Sequence, residues 1–571
     1  MGGSTTSGSG RSDESRHDMS HPPTRSIGRP SRVAWCAVVA VALVASACGS
    51  SDGDATAPDS TTTIVPSRGG RVSGPADGGP PIAGGRVPFG IEAEPGGLDT
   101  TRYAFSNAGH VIASAVFDPL ATLDADGNAV PYLASAIEPN DDNTVWTITL
   151  PDGVEFHDGT SLDAAAVVAN LEAYRLSSIT GAALFAIESV AEADPSTVTV
   201  TLDRPYARFP LLLTTQIGYV MAPVMIDDPA YSLKPVGTGP FVFASHDPDE
   251  QWSFTRNTSY WRDGLPYLDA IDFEIVQDAS QRLEMFTAGD LDMMYTERPA
   301  QIALLRADPD VKRVEYDLGD ETMSVLNTSK APFDNLLARQ AVAYATDAAS
   351  WRADTAVDGA GDLPSNGPFS PGQPGYVENN GYPEFDMAKA KELVAQYEAE
   401  TGQPLAFAFA NQADVDTLRD ANYFASLYTE AGMDVEITSV PQVNLVATIA
   451  TGNYQMGRFR LFNQPDPDAD SHFWRSESIG DLVSLNFPRY VNTDMDATID
   501  AAMASEDPVE RDRLYQEVNR ALAADVPYIW LGQMVWLLAA NPRVNGIGPA
   551  ANGSLQTVGA KTWIAELWLS R

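Results

Sequence analysis

Polar and apolar side chains alternate through residues 143–150 (NTVWTITL) and again through 196–202 (STVTVTL). A two-residue period is that of a strand with one buried face, so both segments are predicted strands. Apolar positions recur at three- and four-residue spacing in 162–174, 339–349, 387–400 and 508–524, which predicts four amphipathic helices. Asp386 and Asp507 stand just before two of these, where a carboxylate can accept from the free N–H groups of a first turn. Strand and helix periods are interleaved from Arg86 onward, which places the body in the α/β class. No internal repeat and no second linker interrupts it, so 86–571 reads as one multi-lobed unit.

The first 85 residues follow another logic. Residues 1–32 are polar and hold five arginines, residues 33–44 are almost wholly apolar, and Ala45-Ser46-Ala47-Cys48 follows. A basic segment, a short apolar segment and small residues make a secretory signal. About 12 apolar residues are too few to span a bilayer, which takes roughly 20. Residues 19–48 alone carry all three parts. Cleavage somewhere after Ala47 is the plain reading. The sharper one is a resemblance to bacterial lipoprotein signals, with 1–47 removed and Cys48 lipidated, although Ala45 stands where such signals more often have Leu. Residues 49–85 are Gly, Ser, Thr, Pro and Asp with few large apolar side chains, and 48–85 is expected to be a flexible tether.

The chain has 571 residues, 44% of them hydrophobic, ample for a large core. Its 77 acids against 36 bases give a formal charge of −41, and loss of 1–47, with five arginines and three acids, takes it to −43. Such a charge argues against nucleic acid, whose binding rests on Lys and Arg neutralising phosphates. Two cysteines, Cys36 and Cys48, exclude a disulfide framework or a Cys-rich metal site.

Several blocks lie in one order along the body: Leu98-Asp99-Thr100; FDPLATLDADG at 117–127 with PYLAS at 131–135; WTITLPDGVEFHDGT at 146–160; PVGTGP at 235–240 with Arg256-Asn257, Tyr260-Trp261 and PYLD at 266–269; LNTSKAPFD at 326–334 with RQAVAYA at 339–345; and PDP at 465–467. Together they resemble the solute-binding proteins of ABC importers, in the large family with dipeptide-, oligopeptide- and nickel-binding members. The resemblance implies a type II, two-lobed periplasmic-binding-protein-like fold of mixed sheets and helices. Lobe I would take 86–322 and 528–571, with an extra subdomain at 117–231, and lobe II would take 323–527. It further implies hinge closure on a small peptide or peptide-like solute, and delivery to ABC permease subunits by a monomer held by its lipid at the extracytoplasmic face of the cell membrane. No cofactor or metal is implied. The glycines at 153, 159, 237 and 239 read as turn residues with positive φ. His157, Arg256 and Trp261 read as scaffold.

Many peptide-binding relatives have a Trp and then, three residues on, an Asp that holds the peptide ammonium. Here Arg460 and Asn463 stand in those positions. Asn cannot neutralise an ammonium, whereas an Arg in the cleft favours a carboxylate, so an anionic solute is expected. Arg458 and Arg460 are equally readable as solvated strand charges. Candidate ligand contacts are Arg460, Phe462, Asn463, Asp466, Tyr103, Phe105 and Trp474, the aromatics being also readable as core. Asp466, Asp468, Asp470 and Glu477 fall at calcium-loop spacing, but Ser471 stands where that loop wants Gly. Two other classes compete with a receptor: an extracytoplasmic enzyme and a signalling lipoprotein on the same fold. No Gly-x-Ser-x-Gly elbow, His-Glu-x-x-His helix or phosphate-cradling loop supports the enzyme.

Overall fold

The computed structural model describes residues 70–571 except 318–319, 463, 465, 481, 554, 556–561 and 571, and leaves the side chains of Val443 and Phe462 undescribed. The expected signal, Cys48 and the first part of the tether lie outside the described residues. All described residues fall in one compact unit, Ile64–Arg571.

Two mixed sheets organise this unit. The larger has eight strands in the order Arg71–Ser73, Lys312–Tyr316, Trp536–Ala540, Met293–Thr296, Arg86–Ile91, Ala270–Ile275, Gln251–Arg256, Phe241–Asp247. The smaller has five, in the order Asp434–Val440, Ala406–Gln412, Met456–Phe462, Asp320–Leu326, Tyr528–Gln533. The chain passes from the first sheet to the second between Tyr316 and Asp320, and returns between Gln533 and Trp536. A separate four-stranded layer, Ala136–Pro139, Val145–Thr149, Thr197–Leu202 and Ile187–Asp194, carries the helix Ala164–Leu176.

Both predicted strands and all four predicted helical stretches form. The Asp386 carboxylate accepts from Ala388 N and Lys389 N, and that of Asp507 from Val509 N. The stretch 339–349 is broken into Leu336–Ala345 and Ala348–Thr355. Thr346 Oγ1 turns back onto Val342 O, and Asp347 caps the second helix by accepting from Ser350 N.

Two expected boundaries move. Tyr528–Gln533 pairs with Asp320–Leu326 and so belongs to the second lobe, not to the return. Residues 70–85 are not all tether. Arg71–Ser73 adds to the edge of the large sheet against Lys312–Tyr316, with Arg71 on Asp317 (3.1 Å) and Lys312 on Asp77 (2.9 Å). An edge strand is held by its backbone ladder, so it needs no run of large apolar side chains.

The recognisable blocks prove to be structural knots. Asp118 is buried and accepts from Thr238 Oγ1, Tyr260 O–H and Trp261 Nε1 at 3.0, 2.9 and 2.8 Å, tying three blocks to one carboxylate. Gly153 and Gly159 have the positive φ expected (+79° and +83°). Gly237 and Gly239 do not. They are glycine because a Cβ there would lie 2.2 Å from Val116 O and 2.4 Å from Val116 C. Thr100, in the first of these blocks, hydrogen-bonds the buried Tyr174 hydroxyl at 2.5 Å.

Candidate functional site

The four-stranded layer leans on the second lobe. Arg204 pairs with Glu477 and Asp500 at 3.2 Å each, Ala207 N donates to Met503 O at 2.8 Å, and Asn143 Nδ2 donates to Glu506 at 2.8 Å. One apolar core runs through both, from Trp146, Tyr206 and Phe209 to Trp474, Tyr515 and Tyr528. Between them a cavity of about 310 Å³ remains. It is walled on one side by Phe105, His110, Ile179, Leu212 and Ile217, and on the other by Phe459, Leu461, Gln464, Asp470, His472, Phe473 and Phe487.

Each wall is placed by local rules. The strand Met456–Phe462 alternates its side chains between the faces of the smaller sheet. Phe459 and Leu461 therefore face the cavity, and the Phe459 ring meets Phe487 edge-on at 5.0 Å. On the opposite wall, Gln216 fastens the 100–105 loop. Its Nε2 donates to Thr100 O (2.6 Å) and Tyr103 O (2.7 Å), and its Oε1 accepts from Phe105 N (3.1 Å). Phe105 is thereby presented to the cavity, its ring edge-on to His110 at 5.5 Å.

The expected site residues separate. Phe105 and Arg460 are in the wall. Tyr103 is not; its ring packs over Gly96 and Gly97. Trp474 is 1% exposed and stands edge-on to Phe369 at 5.3 Å, a core residue. Asp466 is 3% exposed and saturated by Arg511 (2.8 Å) and Arg208 (3.4 Å), which makes it an anchor of the lobe and not a ligand contact. The Phe462 side chain and Asn463 lie outside the described residues.

Arg460 also departs from expectation. Alternation turns it to the same face as Arg458, away from Phe459 and Leu461, and its Nη1 lies 3.6 Å from Glu297 Oε1 of the large-sheet lobe. Burial alone would raise the Glu297 carboxyl, but the charges of Arg460 and Arg298 outweigh it and hold it below its usual range. The cation on which an anionic solute was predicted is thus engaged by an acid of the other lobe. Arg458 is buried against the ring of Trp351, 5.0 Å from its centroid, and near Asp420, so neither arginine is simply a solvated strand charge.

The residues missed were those flagged for other chemistry. Asp470, noted only for calcium spacing, accepts from Gln464 N at 2.6 Å and lines the cavity. Burial pushes its carboxyl well above the usual range, the Gln464 N–H pulls it back, and the charges of Asp466 and Asp320 add to the rise. His472 also lines the cavity, and burial holds its pKa down at about 4, so it stays neutral. Asp468 is spent on Tyr515 O–H (2.5 Å) and Arg511 (2.8 Å), and Glu477 on Arg475 and Arg204. Among the described residues no three His, Cys, Asp or Glu side chains converge to hold a metal ion.

Known proteins share this architecture. The chain is 26% identical over 438 residues to the glutathione-binding protein GsiB of Salmonella paratyphi A, covering 73% of this chain and 83% of that one. The solved structure of the DppA protein of Helicobacter pylori in complex with the peptide STSA superposes with a TM-score of 0.77 at 22% identity, over 86% of this chain and 99% of that one. The oligopeptide-binding protein AppA of Bacillus subtilis, solved with a nonapeptide, gives 0.74 at 20% identity over 86% and 100%. These structural likenesses establish the two-lobed type II fold. The model of bacterial extracellular solute-binding proteins, family 5 (middle region), matches residues 128–481, more than half of the sequence, and the chain belongs to that family.

Proposed function

We propose that this protein closes its two lobes on a small peptide-like solute in the 310 Å³ cavity and presents it to the permease of an ABC importer. The observation that carries the reading is the cavity itself: both of its walls are built largely of aromatic and aliphatic side chains from separate layers, with a few polar groups among them. Such a composition suits a small organic molecule with an apolar body. A receptor of this kind needs closure and contacts but no nucleophile. The names of the relatives, which include glutathione- and peptide-binding proteins, support a solute of peptide size. Native mass spectrometry of freshly purified protein should show a co-purifying mass below about 500 Da, in keeping with the cavity volume. A protein that neither retains nor takes up any such molecule from a peptide mixture would refute the reading.

The same proposal puts the protein outside the cytoplasm on a lipid leash. The supports are the arginine-rich start, the apolar run 33–44 and Ala45-Ser46-Ala47 before Cys48. A diacylglycerol brings two acyl chains, enough for stable attachment where one is marginal. Metabolic labelling with a tagged fatty acid should mark the wild type and not Cys48→Ala. Equal labelling of both would place the anchor elsewhere or remove it.

A further inference from the structure

The cavity holds a carboxylate that no cation among the described residues pairs with. Asp470 is 3% exposed, and Gln464 N is bonded to its Oδ2. Among the described residues no Lys, Arg or His pairs with the group. The nearby arginines among the described residues face acids of their own. Arg208 and Arg511 are on Asp466, Arg511 is also on Asp468, and Arg460 is on Glu297 across the sheet. His472, two residues on, is uncharged. A second acceptor sits beside it: Gln464 Oε1 is buried, lines the same cavity and has no hydrogen-bond partner. Burying a carboxylate without a cation and an amide oxygen without a donor is costly, and the cost is recovered when a donor-rich cation enters. The rest of the wall, with Phe105, Leu212, Phe459 and Phe473, suits an apolar body attached to that cation.

We infer that Asp470, with Gln464 Oε1 beside it, receives a cationic amino group of the solute and sets the specificity of the cleft for ammonium-bearing molecules. The assignment rests on the receptor reading above. It supplies, seven residues downstream and from a different element, the negative charge that Asn463 lacks. It also reverses the sign of the solute expected from Arg460: the end of the molecule that the cavity selects is positive.

Calorimetry on the whole exported protein tests this with three probes: the dipeptide Met-Leu, its N-acetyl form, which has no ammonium, and its C-terminal amide, which keeps the ammonium and loses the carboxylate. The wild type should bind Met-Leu at least tenfold more tightly than N-acetyl-Met-Leu, and should accept the amide with little loss. Asp470→Asn keeps the acceptor for Gln464 N and should abolish the preference between free and acetylated forms, while melting as a folded protein. Wild type that binds both forms equally, or a preference that survives Asp470→Asn, would overturn the role of Asp470 and leave the receptor reading standing. Failure of all three probes, with uptake of no other peptide from a mixture, would overturn the receptor reading and this assignment with it.

Discussion

At the scale of single residues, the pairing register of one strand decides what Arg460 meets. Arg460 was recognisable as a charged residue in the segment that walls the cleft. Which face it takes depends on the register of Met456–Phe462 against Asp320–Leu326, where Thr322 pairs with Arg460 and Met323 with Phe459. A one-residue slip sends every side chain of a strand to the other face. Arg460 therefore meets Glu297, even though the residue itself stands in the cavity wall. This yields a direct test. Were Arg460 the solute's partner, Arg460→Ala would cost about 1.5–3 kcal/mol of binding, the range of a charged hydrogen bond. The geometry predicts instead that solute affinity stays within about threefold while thermal stability falls, because the buried Glu297 loses one of the arginine charges that hold it ionised and keeps Arg298 at 3.6 Å. Calorimetry with the co-purified solute and a melting curve separate these outcomes. Asp470 escaped notice for the complementary reason. Its carboxyl is distinguished by having no paired cation among the described residues, and a missing ion-pair partner cannot be read along a chain.

At the scale of elements, local rules carried much of the reading. Asp386 and Asp507 cap where a capping carboxylate must, because the first N–H groups of a helix have no partner within it. The alternating strands Val145–Thr149 and Thr197–Leu202 pair directly, with Trp146 opposite Val200 and Ile148 opposite Val198 on the buried face. Elements held by tertiary context were less visible. Arg71–Ser73 is a strand only because Lys312–Tyr316 offers an open edge, and its own three residues carry no strand pattern. Gly237 and Gly239 illustrate a subtler limit. Glycine was legible there, but the reason for it was not: no positive φ is involved, and the requirement comes from the Val116 backbone, over a hundred residues away in sequence. The family blocks were legible for a physical reason too. Asp118 binds three of them together, so they report the fold and say little about the solute.

At the scale of the whole molecule, the dominant feature is excess acid, with a formal charge of −41, and several of those acids are buried. Burial pushes Asp362 up to about 6, against the opposing charges of Arg460 and Arg458. It does the same to Asp468, also to about 6, with Asp466 adding to the rise and Arg511 and Tyr515 opposing it. Glu321 and Asp470 are raised well above their ordinary values, chiefly by burial as well. An acid whose folded pKa exceeds its unfolded value, near 4, binds its proton more tightly in the folded state. Its contribution to stability is complete below about pH 4 and is lost as pH rises through the folded value of about 6. The unliganded protein should therefore melt at a higher temperature near pH 5 than near pH 8, the fall being centred between those values. Glu297, held low by Arg460 and Arg298, works in the opposite sense and limits the gain at still lower pH. Repulsion among exposed carboxylates gives the same sign, but at 1 M salt the screening length shrinks to about 3 Å and that part fades, whereas buried groups are screened much less. A pH dependence that survives in 1 M NaCl is the expected result for the ligand-free protein. A melting temperature that is flat or rises from pH 5 to pH 8 would mean that these carboxyls are not buried as described. A bound cation would moderate the dependence by holding Asp470 ionised in the folded state, so saturating solute should raise the melting temperature more at pH 8 than at pH 5.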